Sequence, residues 1–555
     1  MLLHVLLTTL PLLAPAPPTQ ESSPLAAVPT DAFALLHCRD VAALRSRAER
    51  NDWYRLLGSS QGEPLMEELV LGFRRGTHTE LDRLIDLAAT LDGEVALYFT
   101  REVAGFVAKR PADPSALAGA MRAWLPAGDP TTRRTLELFG GRVELLAWPG
   151  EIDGWAGRSG HFAAFLDHPL ALGLFSGDSA EAVVAALTEG IAGLEADRRA
   201  PLIEAYAAAG GGRGDGIEVY VDFTPFVGEA EKALKEAVEA VLPDPQHLLG
   251  LEQGTWLHAR ADLHPGTRID CGAHLQLPAD TLAAELADTF APLAHTLPAD
   301  LPKGIWSLYS LRWDVKELYR RARAAFEAAG GEAGLSSVDA GLTAARGMTG
   351  VDPIVDVLNQ LEGTFALYFV ERERPRLDAE ATEPEGALDE MDVMELGFLA
   401  GLLDGDAFLS AFEKLTEVGP LESVLELEEI EGADAYLVSD QDDVDGGLAF
   451  LPRALAAAPA RAVLVRALRA LTRAEGASLA GGSRMQAAID ENAGACYLSC
   501  VELTPLRARL LPGLAGGAPP DPAAGEEAAR DPFDSQLVSS ARRTKTGFDL
   551  RLYTR

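Results

Sequence analysis

Apolar residues at Leu81, Leu84, Ile85, Ala88 and Leu91 recur at helical spacing, so this stretch predicts a helix with one buried face. Asp92-Gly93 ends it, with glycine supplying a left-handed C-terminal cap. From Glu94 to Thr100 the chain is apolar on both faces, the pattern of a strand covered on both sides. The same features return 270 residues later. Leu81–Thr100 reads LDRLIDLAATLDGEVALYFT and Val351–Val370 reads VDPIVDVLNQLEGTFALYFV, with eight of twenty positions identical. Chance would give roughly one or two identities, so the match is self-similarity.

Other landmarks align in the same way. Val28–Ala48 and Leu301–Ala322 each read as an apolar strand, an aspartate and an amphipathic helix. Asp40 and Asp314 sit where an N-cap carboxylate accepts the unpaired amides of a first helical turn, and Glu317 resembles the return partner of a capping box. Return strands are predicted at Gly105-Phe106-Val107 and Gly397-Phe398-Leu399. In the second copy an acidic insertion at 371–395 separates the paired strands, an added loop of 21 residues. A helix led by Ser179 corresponds to Pro459–Leu464, and GIEVYVDFTPF (Gly216–Phe226) to CYLSCVELTPL (Cys496–Leu506). Each copy closes on a turn-and-strand unit. The expected class is therefore α+β: two tandem pseudo-repeats, 31–295 and 296–555, of mixed or antiparallel sheet with helices packed on one face.

Leu2–Leu13 is an apolar run of signal-peptide length, too short to span a bilayer, and Ala14-Pro15-Ala16 offers a small-residue cleavage pattern. Residues 1–20 are thus expected to be an export signal and 21–30 a Pro/Ser-rich linker, with the cut lying as late as Ala27. No later segment has the length and apolarity of a membrane span, so a soluble periplasmic or secreted protein is expected. The formal net charge of −36 over 555 residues repels phosphate backbones and anionic lipid, which excludes nucleic acid as a partner class. An envelope protein or polymer is the expected partner. The four cysteines show no metal-ligand spacing, and Cys496 and Cys500 on one strand would lie about 13 Å apart, too far to bridge.

These landmarks resemble a family of large exported bacterial proteins of unknown function. The resemblance rests on the signal segment, the strand-Asp-helix at Phe33–Ala48, the helix-Gly-strand at Leu84–Phe99, and Ala477-Ser478-Leu479 leading through Met485 and Ile489 to Tyr497 and Thr504-Pro505. It implies no catalytic residues.

Candidate chemistry is sparse. All ten histidines lie between His4 and His295, so a histidine mechanism shared by both copies is ruled out. His258 and His274 flank one turn, with no third metal ligand in view. Gly58-Ser59-Ser60-Gln61-Gly62 matches G-x-S-x-G, but a helix-like stretch precedes it where a nucleophile elbow needs a strand. Gly210–Gly216 reads as a helix-to-strand loop, the reverse of a phosphate cradle. Asp440–Gly447 fails the calcium-loop ligand pattern and reads as an acidic turn. Asp82 with Asp86, and Asp352 with Asp356, recur at a spacing of four that puts both carboxylates on one helix face. Helix capping explains them, and they are the first candidates for a ligand site shared by both copies. Trp148 and Trp155 flank a Pro/Gly loop and either clamp it to the core or form a contact surface. No catalytic, cofactor or metal residue is assigned. The expected role is non-catalytic binding or scaffolding in the envelope. The alternatives are a hydrolase with a first-copy site around His161, His168 or His258, and a carrier of an apolar ligand.

Overall fold

The computed structural model describes residues 23–59, 62–63, 66, 89–109, 132–138, 141–147, 161–165, 171–226, 254–293, 300–328, 332–371, 394–418, 424–440, 443–474, 476–479, 483–505 and 532–555. The chain divides into two compact units, Met1–Asp222 with His258–Pro265, and Phe223–Leu257 with Gly266–Arg555.

Unit one starts with a short 3-10 turn, Pro24–Ala27, then β1 (Ala34–Cys38), α1 (Val41–Ala48) and α2 (Asp52–Leu57). Strands β2 (Val95–Phe99), β3 (Val103–Lys109), β4 (Thr132–Leu138), β5 (Gly141–Ala147), β6 (His161–Phe165) and β7 (Ala171–Gly177) follow. Helices α3 (Ala180–Ala196) and α4 (Pro201–Ala208) then lead to β8 (Ile217–Asp222). The strands pair antiparallel in the order β4-β5-β6-β7-β3-β2-β1-β8. The chain crosses between units along β9 (Trp256–Leu263).

Unit two holds β10 (Ile269–Gln276), α5 (Leu282–Ala287), β11 (Ile305–Arg312), α6 (Val315–Ala328), α7 (Glu332–Thr349), β12 (Leu361–Glu371) and β13 (Met394–Leu402). These are followed by α8 (Gly405–Glu417), β14 (Leu425–Ile430), β15 (Ala433–Asp440), β16 (Asp443–Leu451) and β17 (Ala454–Ala458). The last elements are α9 (Arg461–Leu471), α10 (Arg484–Glu491), β18 (Tyr497–Glu502), β19 (Gln536–Arg543) and β20 (Gly547–Thr554). Antiparallel pairing runs β14-β15-β16-β17-β13-β12-β11-β18-β19-β20-β10. From β14 to β18 this order matches β4 to β8 strand for strand. The expected α+β class holds, and every pairing described within the two units is antiparallel.

Helices cover both faces of each sheet, not one. Successive strand residues point to opposite faces. In unit two, Ala435 and Ala449 join the core built on Val463, Leu464, Ala467 and Leu468 of α9. Their neighbours Tyr436 and Phe450 meet Phe408 and Phe412 of α8 on the other side, at ring distances of 5.0 to 6.2 Å. In unit one, Leu172 and Leu174 pack with Cys38, Val41 and Leu91, whereas Phe175 faces Tyr98 and α3. A strand apolar on both faces needs cover on both, and the flanking helices of each unit supply it.

Within the segment expected as a linker, residues 24–29 are mostly buried. Ala26, Ala27 and Val28 are at most 4% exposed, and they cross α3 where it carries Gly190 and Gly193. A Cβ at Gly193 would sit 2.1 Å from the Ala26 carbonyl oxygen, so only glycine admits this strap. Ser23 caps its 3-10 turn, and Thr30 donates to Glu189 from both its amide and its hydroxyl. Pro/Ser composition signals a break in regular structure. It does not signal exposure.

Local caps follow expectation. Asp40 accepts from the Ala43 amide at 2.8 Å, Asp314 from the Glu317 amide at 2.9 Å and Ser179 from the Ala182 amide at 3.1 Å. Glu317 does not turn back to complete a capping box, because Arg320 and Arg321 engage its carboxylate at 2.6 and 2.7 Å. Gly93, expected to be left-handed, keeps an ordinary φ, whereas its counterpart Gly363 takes φ 93° at an irregularity inside β12. The paired ends Glu371 and Met394 place the acidic insertion on a β12–β13 hairpin, and 372–393 itself lies outside the described residues.

Candidate functional site

A cluster of buried titratable groups lies in unit one, assembled from β1, the entry to β2, α4, β8 and β9. His37 is directly opposite Glu218 in the β1–β8 register. Tyr206 reaches in from α4, which starts on Pro201. Gly210 and Gly212 take positive φ in the loop after α4, and a Cβ at Gly211 would meet the Tyr206 ring at 2.0 Å. The glycine-rich run is therefore the helix-to-strand loop expected, and it also has a task. Its amides turn onto Glu218.

Glu218 is 2% exposed and saturated. Tyr206 Oη donates to its Oε2 at 2.6 Å, and the amides of Gly212 and Gly214 donate at 2.8 and 3.0 Å. His258 Nε2 lies 3.2 Å from the same Oε2. Burial alone would raise this carboxyl, but the bonds from His258, Tyr206, Gly212 and Gly214 overcome it and hold Glu218 at about 2. Burial and the Glu218 hydrogen bond push the Tyr206 phenol well up. On the far side of Tyr206, His37 Nδ1 lies 2.9 Å from Oη and His37 Nε2 lies 2.9 Å from Glu94 Oε1. Ser23 of the strap donates to the same Glu94 oxygen at 2.6 Å. Burial works to raise Glu94, yet the bonds from His37 and Ser23 win and lower it.

The result is a chain, Ser23–Glu94–His37–Tyr206–Glu218–His258, in which each acidic oxygen at a contact is met by a donor. It locks five elements and the strap together. Unit two replaces it with other groups. Ser310 and Leu498 occupy the registers of His37 and Glu218, and Thr364 stands two residues before Ala366 as Glu94 stands before Ala96. The buried Leu498 joins an apolar core there.

Asp352 and Asp356 do come together. Asp352 caps a short π-turn, Pro353–Val357, accepting from the Ile354 and Val355 amides at 3.0 and 3.1 Å, while its own amide donates to Asp356 Oδ2 at 2.8 Å. The Val355 amide foremost lowers the Asp352 carboxyl against desolvation, and the Ile354 amide and Arg346 lower it further. This is reciprocal capping, with both carboxylates turned to the backbone. Asp82, Asp86, Trp148, Trp155 and His168 lie outside the described residues. His161 sits in β6, opposite Gly177 of β7. His274 pairs with Asp549 at 2.6 Å and lies against Trp256 with its ring tilted by 48°. All four cysteines are free thiols, with Cys500 pushed up to about 12 by burial first. No group of three or more metal-ligating side chains occurs among the described residues, and no described helix is long and apolar enough to cross a membrane.

No family model matches the chain, and no curated protein does. A solved structure titled "Structure of crystal form I of TP0453" is 13% identical over 47% of this chain and 81% of that one, with a TM-score of 0.23. That likeness is too slight to carry fold or function.

Proposed function

We propose that this is an exported, non-catalytic binding or scaffold protein of the periplasm or cell envelope, built by duplication of one α+β unit. The observation that carries the non-catalytic reading is the saturation of the unit-one network. A general base needs a free lone pair within reach of substrate, and a nucleophile needs an open approach. Glu218 instead spends its oxygens on the network's own donors, at 2% exposure. The matching strand orders of the two units, with the paired segments Leu81–Thr100 and Val351–Val370, support the duplication. The apolar run at Leu2–Leu13 and the resemblance to exported proteins support the location.

The test is fractionation of cells making the full chain with a C-terminal tag, followed by cross-linking in place. The tagged chain should leave the cytoplasm and cross-link to an envelope protein or polymer. Recovery in the cytoplasm would refute export. Turnover of ester, peptide or glycoside substrates that His258→Gln abolishes would make it a hydrolase.

A further inference from the structure

Unit two holds a small cleft of about 60 Å³ between the sheet and the end of α9. Ala366 and Leu399, paired across β12 and β13, and Leu471, the last residue of α9, make its apolar wall. Asp300, Glu362, Thr364 and Arg453 supply its polar groups. The Thr364 hydroxyl is buried with no hydrogen-bond partner, a costly state that such groups in folded proteins rarely keep. Glu362 lies over Gly401, where a Cβ would come 2.4 Å from Oε2, and Arg312 holds it at 3.6 Å. Asp300 and Arg453 make neither an ion pair nor a side-chain hydrogen bond with described residues, although both line one cleft. Burial raises the Asp300 carboxyl, Arg473 pulls it down and Glu362 raises it further. The carboxyl end of α9 adds partial negative charge on the Leu471 side.

A cleft with one uncommitted anion, one uncommitted cation and an orphaned hydroxyl over an apolar wall sets a specific demand. A simple cation would leave Arg453 unpaired, and a simple anion would leave Asp300 unpaired. A ligand bearing both charges leaves neither. The volume admits a compound of few heavy atoms, far below drug size. We propose that this cleft binds a small zwitterion of the α-amino-acid class, its ammonium held by Asp300 beside Thr364 and its carboxylate by Arg453. The site is independent of where the chain resides and of any macromolecular partner.

Calorimetric titration of the full chain with L-alanine, methylammonium and acetate tests this. Alanine should bind saturably in about the millimolar range or tighter, and each half-ligand about tenfold or more weakly. Asp300→Asn and Arg453→Gln should each weaken alanine binding about tenfold or more, with unfolding temperatures near that of the parent. The half-ligand comparison needs no variant, so it decides even if a substitution disturbs folding. Absence of saturable alanine binding up to about 10 mM, half-ligands as tight as alanine, or unchanged binding in both variants would overturn the proposal.

Discussion

Tyr98 and Tyr368 solve the same packing problem in the two units. Each stands directly opposite a glycine on the neighbouring strand, Gly105 and Gly397, and covers it. A Cβ at either glycine would fall 2.1 Å from the ring Cζ. Both hydroxyls are buried without a partner. The ring is therefore the useful part and the hydroxyl a cost. Tyr98→Phe and Tyr368→Phe should leave stability unchanged or raise it by up to about 1 kcal/mol in denaturant melts. Gly397→Ala should cost about 1–3 kcal/mol, and adding Tyr368→Phe should not restore it, because Cζ and Cε2 still clash at 2.1 and 2.4 Å once the hydroxyl is gone. Glu218 behaves differently, since its charge is what the fold uses. Its carboxyl falls from 4.5 to about 2 on folding, so its contribution is complete above pH 4.5 and is lost as pH drops toward 2. The expected size is about 3 kcal/mol. Parent and Glu218→Gln should differ most near neutrality, and the gap should narrow across that window in pH-dependent melts. A gap that widens on acidification would show that Glu218 is not held as its anion.

At the level of elements, what could be read in advance was whatever is local. Asp40, Asp314 and Ser179 cap their helices because the partner amide lies three residues on. The β2 and β12 strands were legible from apolar runs without alternation. The unit-one network was not, because it joins positions 23, 37, 94, 206, 218 and 258, which only the fold brings together. A hint existed: His37 and Glu218 interrupt otherwise apolar strands. The Asp352–Asp356 spacing suggested a helix face, yet the segment folds as a π-turn followed by a 3-10 turn at Leu358–Gln360. The burial of the strap leaves no local sign, because its cover, Gly190 and Gly193, lies more than 160 residues away. A chain starting at Ser23 should melt like the full chain. One starting at Pro29 loses the Ser23–Glu94 bond and the burial of Pro24, Ala26, Ala27 and Val28, and should lose about 3 kcal/mol or more. Equal melting of the two truncations would mean that the strap contributes nothing.

For the whole molecule, strand order was foreseeable in outline, since each landmark pair recurred in the same sequence. Which strand pairs with which was not, because an antiparallel order such as β7-β3-β2-β1-β8 depends on connections that no local pattern encodes. Two compact units imply two cooperative transitions. In calorimetry Gly105→Ala should lower one transition and Gly397→Ala the other. A single peak moved alike by both would mean one cooperative block. The net charge of −36 opposes compaction, so raising salt from about 0.01 to 0.15 M should raise both transitions.

The strap also imposes an order of events in time. Residues 23–28 leave the ribosome early, but their seat on α3 does not exist until Gly193 has followed. Until then Ser23 cannot reach Glu94 within a finished unit, and the first segment made is among the last to dock. Unit one therefore stays open at its amino-terminal edge through most of its own synthesis, and any partner that holds the nascent segment in that interval delays closure of the whole unit.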